Sequence, residues 1–190
     1  MSKALAFVAA LLLGVGVCSA QPRGLKVYIS ADMEGISGVV SSEQTNPESR
    51  EYAAARRWMA EDVNAVVSGL LASGATEVVV NDSHGGMRNI SPDDLHPGAI
   101  LISGTPKPLA MMAGIDASFD ACVFVGYHAR AQTPGTLAHT INSFAFSRVL
   151  IDGREVGEAT LCAGVAGECG VPVGLITGDD VFVAETRAWI

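Results

Sequence analysis

Residues 25–35 read Leu25-Lys-Val-Tyr-Ile-Ser-Ala-Asp-Met-Glu-Gly35. Val27, Ile29 and Ala31 alternate with Lys26, Tyr28 and Ser30, a period of two in β-favouring residues, so the stretch opens as a strand. It ends by delivering Asp32 and Glu34 two residues apart, which places both carboxylates on one side of the strand end. Gly35, Ser37 and Gly38 then turn the chain away. Two carboxylates so placed repel each other and lose hydration unless a cation sits between them, and a metal ion is the simplest cation. The plainer alternative is a solvated strand end whose aspartate caps the next helix.

Working outward, Asn46-Pro47-Glu48 reads as a helix start and Gly74 as its stop. Met59, Val63, Val66, Val67, Leu70 and Leu71 keep helical spacing between them, an amphipathic pattern that calls for core packing only. Thr76–Val80, Ala99–Ile102, Ala121–Val125 and Val171–Thr177 read as further strands, and Val78-Val-Val80 is continuously apolar, as in a strand covered on both faces. Val149–Val156 reads as a hairpin turning at Asp152-Gly153, and Glu158–Glu168 as a helix. Strands alternating with helices predict an α/β fold with a mostly parallel sheet and flanking helices.

Met1–Ala20 stands apart. Lys3, the apolar run Ala4–Val17 and the small residues of Cys18-Ser-Ala20 have the three regions of a secretory signal peptide, with cleavage expected after Ala20. The domain is then 21–190, exported to a periplasmic or extracellular space. Removing Lys3, the leader's single charge, takes the formal charge from −8 to −9. That acidity argues against nucleic acid and anionic membrane surfaces as partners, and no second long apolar run follows. Cys122, Cys162 and Cys169 remain, an odd number, and no disulfide framework is expected, although Cys162 and Cys169 are near enough in sequence to pair. The chain stops at Trp189-Ile190 inside what reads as a new helix, so a C-terminal truncation is expected.

Three of the four histidines fall in loops after strands. His84 follows Val78-Val-Val-Asn-Asp-Ser, His128 follows Cys122-Val-Phe-Val-Gly-Tyr, and His139 lies eleven residues further on, whereas His96 has no such context. Ligands of open parallel sheets collect at the carboxyl ends of the strands, where Asp32, Glu34, His84 and His128 would meet. Two oxygens and two imidazoles suit zinc or another borderline first-row metal. Glu158 opens a helix, where a glutamate is ordinarily a partner of the helix dipole, but it also offers a further carboxylate. Five donors exceed one tetrahedral zinc and suit two ions sharing a carboxylate.

Asp32-Met-Glu-Gly35, Asn81-Asp-Ser-His84, Leu101-Ile-Ser-Gly104, Gly126-Tyr-His-Ala-Arg130 and Val156-Gly-Glu158 together resemble the D-aminopeptidase family of zinc peptidases, in its order from Leu25 to the C-terminus. The resemblance implies two zinc ions per chain, bridged by Asp32 and completed by Glu34, His84, His128 and Glu158. It implies His139 as the catalytic residue, a homo-oligomer, and hydrolysis of small peptides bearing an N-terminal D-amino acid such as D-alanine. Arg130 and Lys107 are candidates to hold a substrate carboxylate, and Asn81, Asp82 and Asp179 to orient the ligands. Two rivals share the donor set: an exported metal- or peptide-binding protein without turnover, and a dinuclear phosphoesterase. The extra imidazole of His139 speaks against the first. The lack of a glycine-rich phosphate loop and of many basic residues speaks against the second.

Overall fold

The computed structural model describes residues 24–190, so the leader read from residues 1–20 lies outside the described residues. Five strands form one parallel sheet: β1 (Leu25–Ala31), β2 (Ala75–Asp82), β3 (Ala99–Ile102), β4 (Ala121–Val125) and β7 (Val173–Ile176), while β5 (Leu150–Ile151) and β6 (Arg154–Glu155) pair separately. The order is β3-β2-β1-β4-β7. The chain steps outward from β1 through β2 to β3, then crosses back to the other side of β1, so the carboxyl ends of β1 and β4 form a topological switch point. There Asp32 N–H donates to the Val125 carbonyl and Gly35 N–H to that of Gly126, each at 2.8 Å. The second approach needs Gly35, because a Cβ there would lie 1.9 Å from the Tyr127 carbonyl oxygen.

The alternation in β1 sorts two cores rather than a core and a wet face. Val27, Ile29 and Ala31 pack with Val78, Val80, Val123 and Val125 against Ala55, Met59, Val63 and Val67 of α2 (Tyr52–Ala72). Tyr28 turns the other way, with Cys122 and Phe124, onto Met112, Phe119, Phe182 and Ala159, Cys162 and Ala166 of α3 (Glu158–Glu168). Its hydroxyl donates to the Ala113 carbonyl. Burial on both faces accounts for continuous apolar strands such as β2.

The helix expected from Pro47 starts later. Ser42–Thr45 forms a short α1 capped by Ser41 and Gln44. Asn46 then holds Glu48 N–H through its side chain and Ser49 N–H through its carbonyl. These local bonds compete with helix, and α2 begins only at Tyr52. The hairpin is present as β5 (Leu150–Ile151) and β6 (Arg154–Glu155), with Asp152 and Gly153 both at positive φ, 49° and 77°. A seven-residue helix, α4 (Asp180–Thr186), follows β7. The three cysteines of the described residues are unpaired.

Candidate metal centre

Each strand end delivers its donor. Asp32 leaves β1, His84 follows β2, His128 follows β4, and Glu158 is the first residue of α3. All three carboxylates are buried: Asp32 is 2 %, Glu34 6 % and Glu158 4 % exposed. Asp32 faces one histidine with each oxygen, Oδ1 at 3.4 Å from His84 Nδ1 and Oδ2 at 3.4 Å from His128 Nε2. Glu34 Oε2 lies 3.0 Å from His84 Nδ1, and Glu158 Oε1 3.4 Å from His128 Nε2. The structure brings these five residues into one cluster.

His139 joins them. The chain folds back after His128, with His139 N–H donating to the Ala129 carbonyl and Ala131 N–H to Thr140 Oγ1. The His139 ring consequently stacks on His128, with centroids 4.1 Å apart and planes 8° from parallel. Its Nε2 reaches within 3.6 Å of Glu158 Oε1.

The outer nitrogen of every ring is held by main chain. His84 Nε2 lies 3.0 Å from the Thr45 carbonyl, His128 Nδ1 3.0 Å from that of Ala129, and His139 Nδ1 3.0 Å from that of Leu137. A carbonyl only accepts, so each contact fixes N–H on that nitrogen in the neutral ring and turns the opposite nitrogen, with its lone pair, into the cluster. Asp32 Oδ2 and His128 Nε2 are buried and have no hydrogen-bond partner. Buried donor atoms left without a partner, in a set of three carboxylates and aligned imidazoles, fit a metal centre. His128, His139 and Glu158 form one set of donor atoms within 4.8 Å of one another, and Asp32, Glu34 and His128 another.

Burial alone would raise the Asp32 carboxyl, yet His128 and His84 hold it well below the usual carboxylate range. Burial opposes protonation of His84, but Asp32 and Glu34 push its pKa up to about 11. His128 is likewise raised well above its ordinary value by Asp32 and Glu158, against its burial.

The other candidates are elsewhere. Lys107 Nζ donates to Asn81 Oδ1 at 2.7 Å, the Asp82 carbonyl at 2.6 Å and the Ile102 carbonyl at 3.2 Å, tying β2 to β3. Arg130 is engaged by Glu155 at 2.6 Å and Glu185 at 3.7 Å. Neither lines the pocket over the cluster. Asp82 does not touch a histidine ring; its oxygens hold Asn89 N–H, Asn89 Nδ2 and Ile90 N–H, and Asn89 Nδ2 holds the His84 carbonyl. Asn81 instead donates to the Met111 carbonyl. Asp179 caps α4 through Phe182 N–H and holds Thr136 N–H in the His139 loop. His96 stays outside the cluster, its Nδ1 accepting from Gly98 N–H. The pocket of about 270 Å³ over the cluster also takes in Ser83, which lies within the Asn81–His84 motif, and Met87, Ala110, Met111 and Ile141, which carry no sequence signal for it.

Residues 25–190 match the model of the D-aminopeptidase family. The chain belongs to this family. It is 45 % identical over 166 residues to the D-aminopeptidase of Bacillus subtilis (strain 168), a match covering 87 % of this chain and 60 % of that protein. The fold is similar to that of the zinc-dependent D-aminopeptidase DppA of Bacillus subtilis, described as a self-compartmentalizing protease. The TM-score is 0.84 at 43 % identity, over 86 % of this chain and 60 % of that one. The chain therefore spans about 60 % of the length of these family members.

Proposed function

We propose that this chain carries the catalytic centre of a zinc-dependent aminopeptidase for peptides with an N-terminal D-amino acid. The observation that carries the reading is the set of three imidazoles, each anchored on a main-chain carbonyl and turned towards buried carboxylates, with Asp32 Oδ2 and His128 Nε2 left without hydrogen-bond partners. Asp32, Glu34, His84, His128 and Glu158 would hold two zinc ions, with Asp32, whose two oxygens face two histidines, as the shared ligand. Bound zinc polarises a carbonyl and makes water acidic enough to serve as a nucleophile near neutral pH.

The chain's own groups do the rest. Three carboxylates would offset most of the charge of two zinc ions, and the centre would take the substrate's terminal amine in its neutral form, lone pair free. His139 holds or moves a proton at Nε2, its tautomer set by the Leu137 carbonyl and its ring plane by stacking on His128. Ile141 N–H fixes Glu158 Oε1 at 2.6 Å.

The self-compartmentalizing description of the similar solved protein supports a homo-oligomer here, and the leader pattern of residues 1–20 supports an exported protein. The test is D-alanine release from D-Ala-D-Ala, beside L-Ala-L-Ala, with zinc measured on the same sample. Hydrolysis of the D-peptide alone, lost in His139→Ala with zinc retained, is the expected result. Loss of zinc in that variant would instead make His139 a ligand. A zinc-loaded chain that cleaves neither peptide speaks for the binding-protein reading.

A further inference from the structure

A second cavity, of about 360 Å³, opens beside the one over the metal centre and is lined by Pro47, Tyr52, Arg56, Gly86, Arg88 and Asn89. The two share a rim. His84, Gly85 and Met87 line the first cavity and Gly86, Arg88 and Asn89 the second, so the loop after β2 runs between them. That ridge is bare, since a Cβ on Gly85 or Gly86 would meet nothing within 4 Å. Glycine there leaves the backbone open to a ligand lying across it.

The far side of the ridge is cationic. Arg56 Nε donates to the Asn89 carbonyl at 2.5 Å, and its guanidinium stands 5.7 Å from the centre of the Tyr52 ring. The fork that matches a carboxylate is thus held in place, with its other N–H groups unpaired among the described residues. Tyr52 Oη donates to Asn89 Oδ1 at 2.5 Å and Asn89 Nδ2 to the His84 carbonyl at 2.7 Å, so one buried asparagine ties the arginine to the histidine. Arg88 is exposed. Among the described residues neither it nor Arg56 forms an ion pair, whereas Arg130 and Arg148 both pair with Glu155. The neighbours of Arg88 are pinned, Met87 N–H on the His84 carbonyl and Asn89 N–H on Asp82 Oδ2. Lys107 and Arg130, the cations expected to hold a substrate carboxylate, are engaged elsewhere. In a chain of formal charge −8, an anion meets a favourable field where two such guanidiniums gather.

We propose that Arg56 and Arg88 form a subsite for the C-terminal carboxylate of a di- or tripeptide, reached across Gly85-Gly86, and so tune the chain to short peptides. This rests on the aminopeptidase reading, which puts the peptide's amine at the metal centre. The two glycine Cα atoms are about 3.8 Å apart and an extended peptide covers at most about 3.6 Å per residue, so two or three residues suffice to cross.

The test compares D-Ala-D-Ala with D-Ala-D-alaninamide on the full zinc-loaded chain, by hydrolysis and by calorimetry. The parent chain should favour the acid. Arg88→Ala should lower kcat/KM for the acid about ten- to hundredfold, the scale of a lost hydrogen bond to a charged group. The loss should lie mainly in KM, as for a contact made equally in ground and transition states, with the amide unchanged within about twofold. Arg56→Lys, which keeps the charge but not the fork, should act in the same direction. Loss of the acid preference in either variant, at unchanged zinc content, supports the subsite. No preference in the parent chain, or one kept in both variants, overturns it. If the parent chain cleaves neither peptide, the aminopeptidase reading fails and calorimetry decides alone. Tighter binding of the acid, lost in either variant, then supports the subsite; equal binding, a preference kept in both variants, or no binding overturns it.

Discussion

Asp32 differs from Glu34 and Glu158 in facing two imidazoles with two different oxygens. Removing it should therefore weaken both metal positions, while removing Glu34, which meets His84 alone, should weaken one. Elemental analysis of Asp32→Ala should return almost no zinc, and Glu34→Ala about one ion per chain. Equal retention in both would contradict a shared ligand. The thiols offer a second check: burial pushes Cys122 and Cys162 up to about 12, while Cys169 is half-exposed. In a Cys18→Ser chain a thiol reagent at pH 8 should modify Cys169 quickly and the other two only on unfolding. Three fast thiols would rule out the packing described for β4 and α3. The donor residues were legible because a strand followed by a carboxylate or imidazole is a local pattern, repeated at β1, β2 and β4. Which ring nitrogen faces the cluster was not, since the carbonyls of Thr45, Ala129 and Leu137 carry no residue identity. Nor were the duties of Lys107 and Arg130, because a charge in sequence says nothing of partners such as Asn81 or Glu185.

Among the elements, the junction of β1 with β4 holds the centre's geometry. A Cβ on Gly35 would meet main-chain atoms of Gly126 and Tyr127 within 3.0 Å, whereas one on Gly38 meets only the Trp58 ring at ordinary contact distance. Gly35→Ala must push β1 and β4 apart just where Asp32 and His128 are set. It should cost roughly 3 kcal/mol or more, in the range of severe backbone and packing lesions, and lower zinc affinity. Gly38→Ala, at φ 89°, should cost about 1 kcal/mol, from backbone strain alone. Urea melts with zinc titrations would check both, and equal costs would refute the close approach. Element type was readable from periodicity for the sheet strands, α2 and α3, and the hairpin from its Asp152-Gly153 turn, whereas the four-residue α1 gave no such signal. The start of α2 was not readable, because Asn46 and Ser49 spend their hydrogen bonds on a turn that Pro47 also fits.

For the whole molecule, the protons on His84 and His128 link stability to pH. Both are raised in the fold, so their contribution is complete below the unfolded value of about 6.5 and is lost as pH rises through the folded value, about 11 for His84. Between these limits the metal-free chain holds protons that the unfolded chain does not. Its stability should fall with pH, by up to ~1.4 kcal/mol per unit for each retained proton. Asp32 works in the opposite sense: held low, it stabilises above the ordinary carboxylate range and is lost only in acid. Zinc must displace the imidazolium protons, so loading at pH 8 should release protons and flatten the decline. Denaturant melts from pH 7 to 10, with and without zinc, measure this; parallel curves would count against His84 and His128 as ligands.

The donors run from residue 32 to residue 158 and come from three strands of a parallel sheet, β1, β2 and β4, and from helix α3. No two of these elements can present a complete site before β1 has found both β2 and β4, pairings that close long loops and form slowly. Zinc is therefore poorly placed to seed folding. It acts as a keystone set after the arch is standing: the refolding rate should be nearly indifferent to the ion, and the extra stability should appear as slower unfolding.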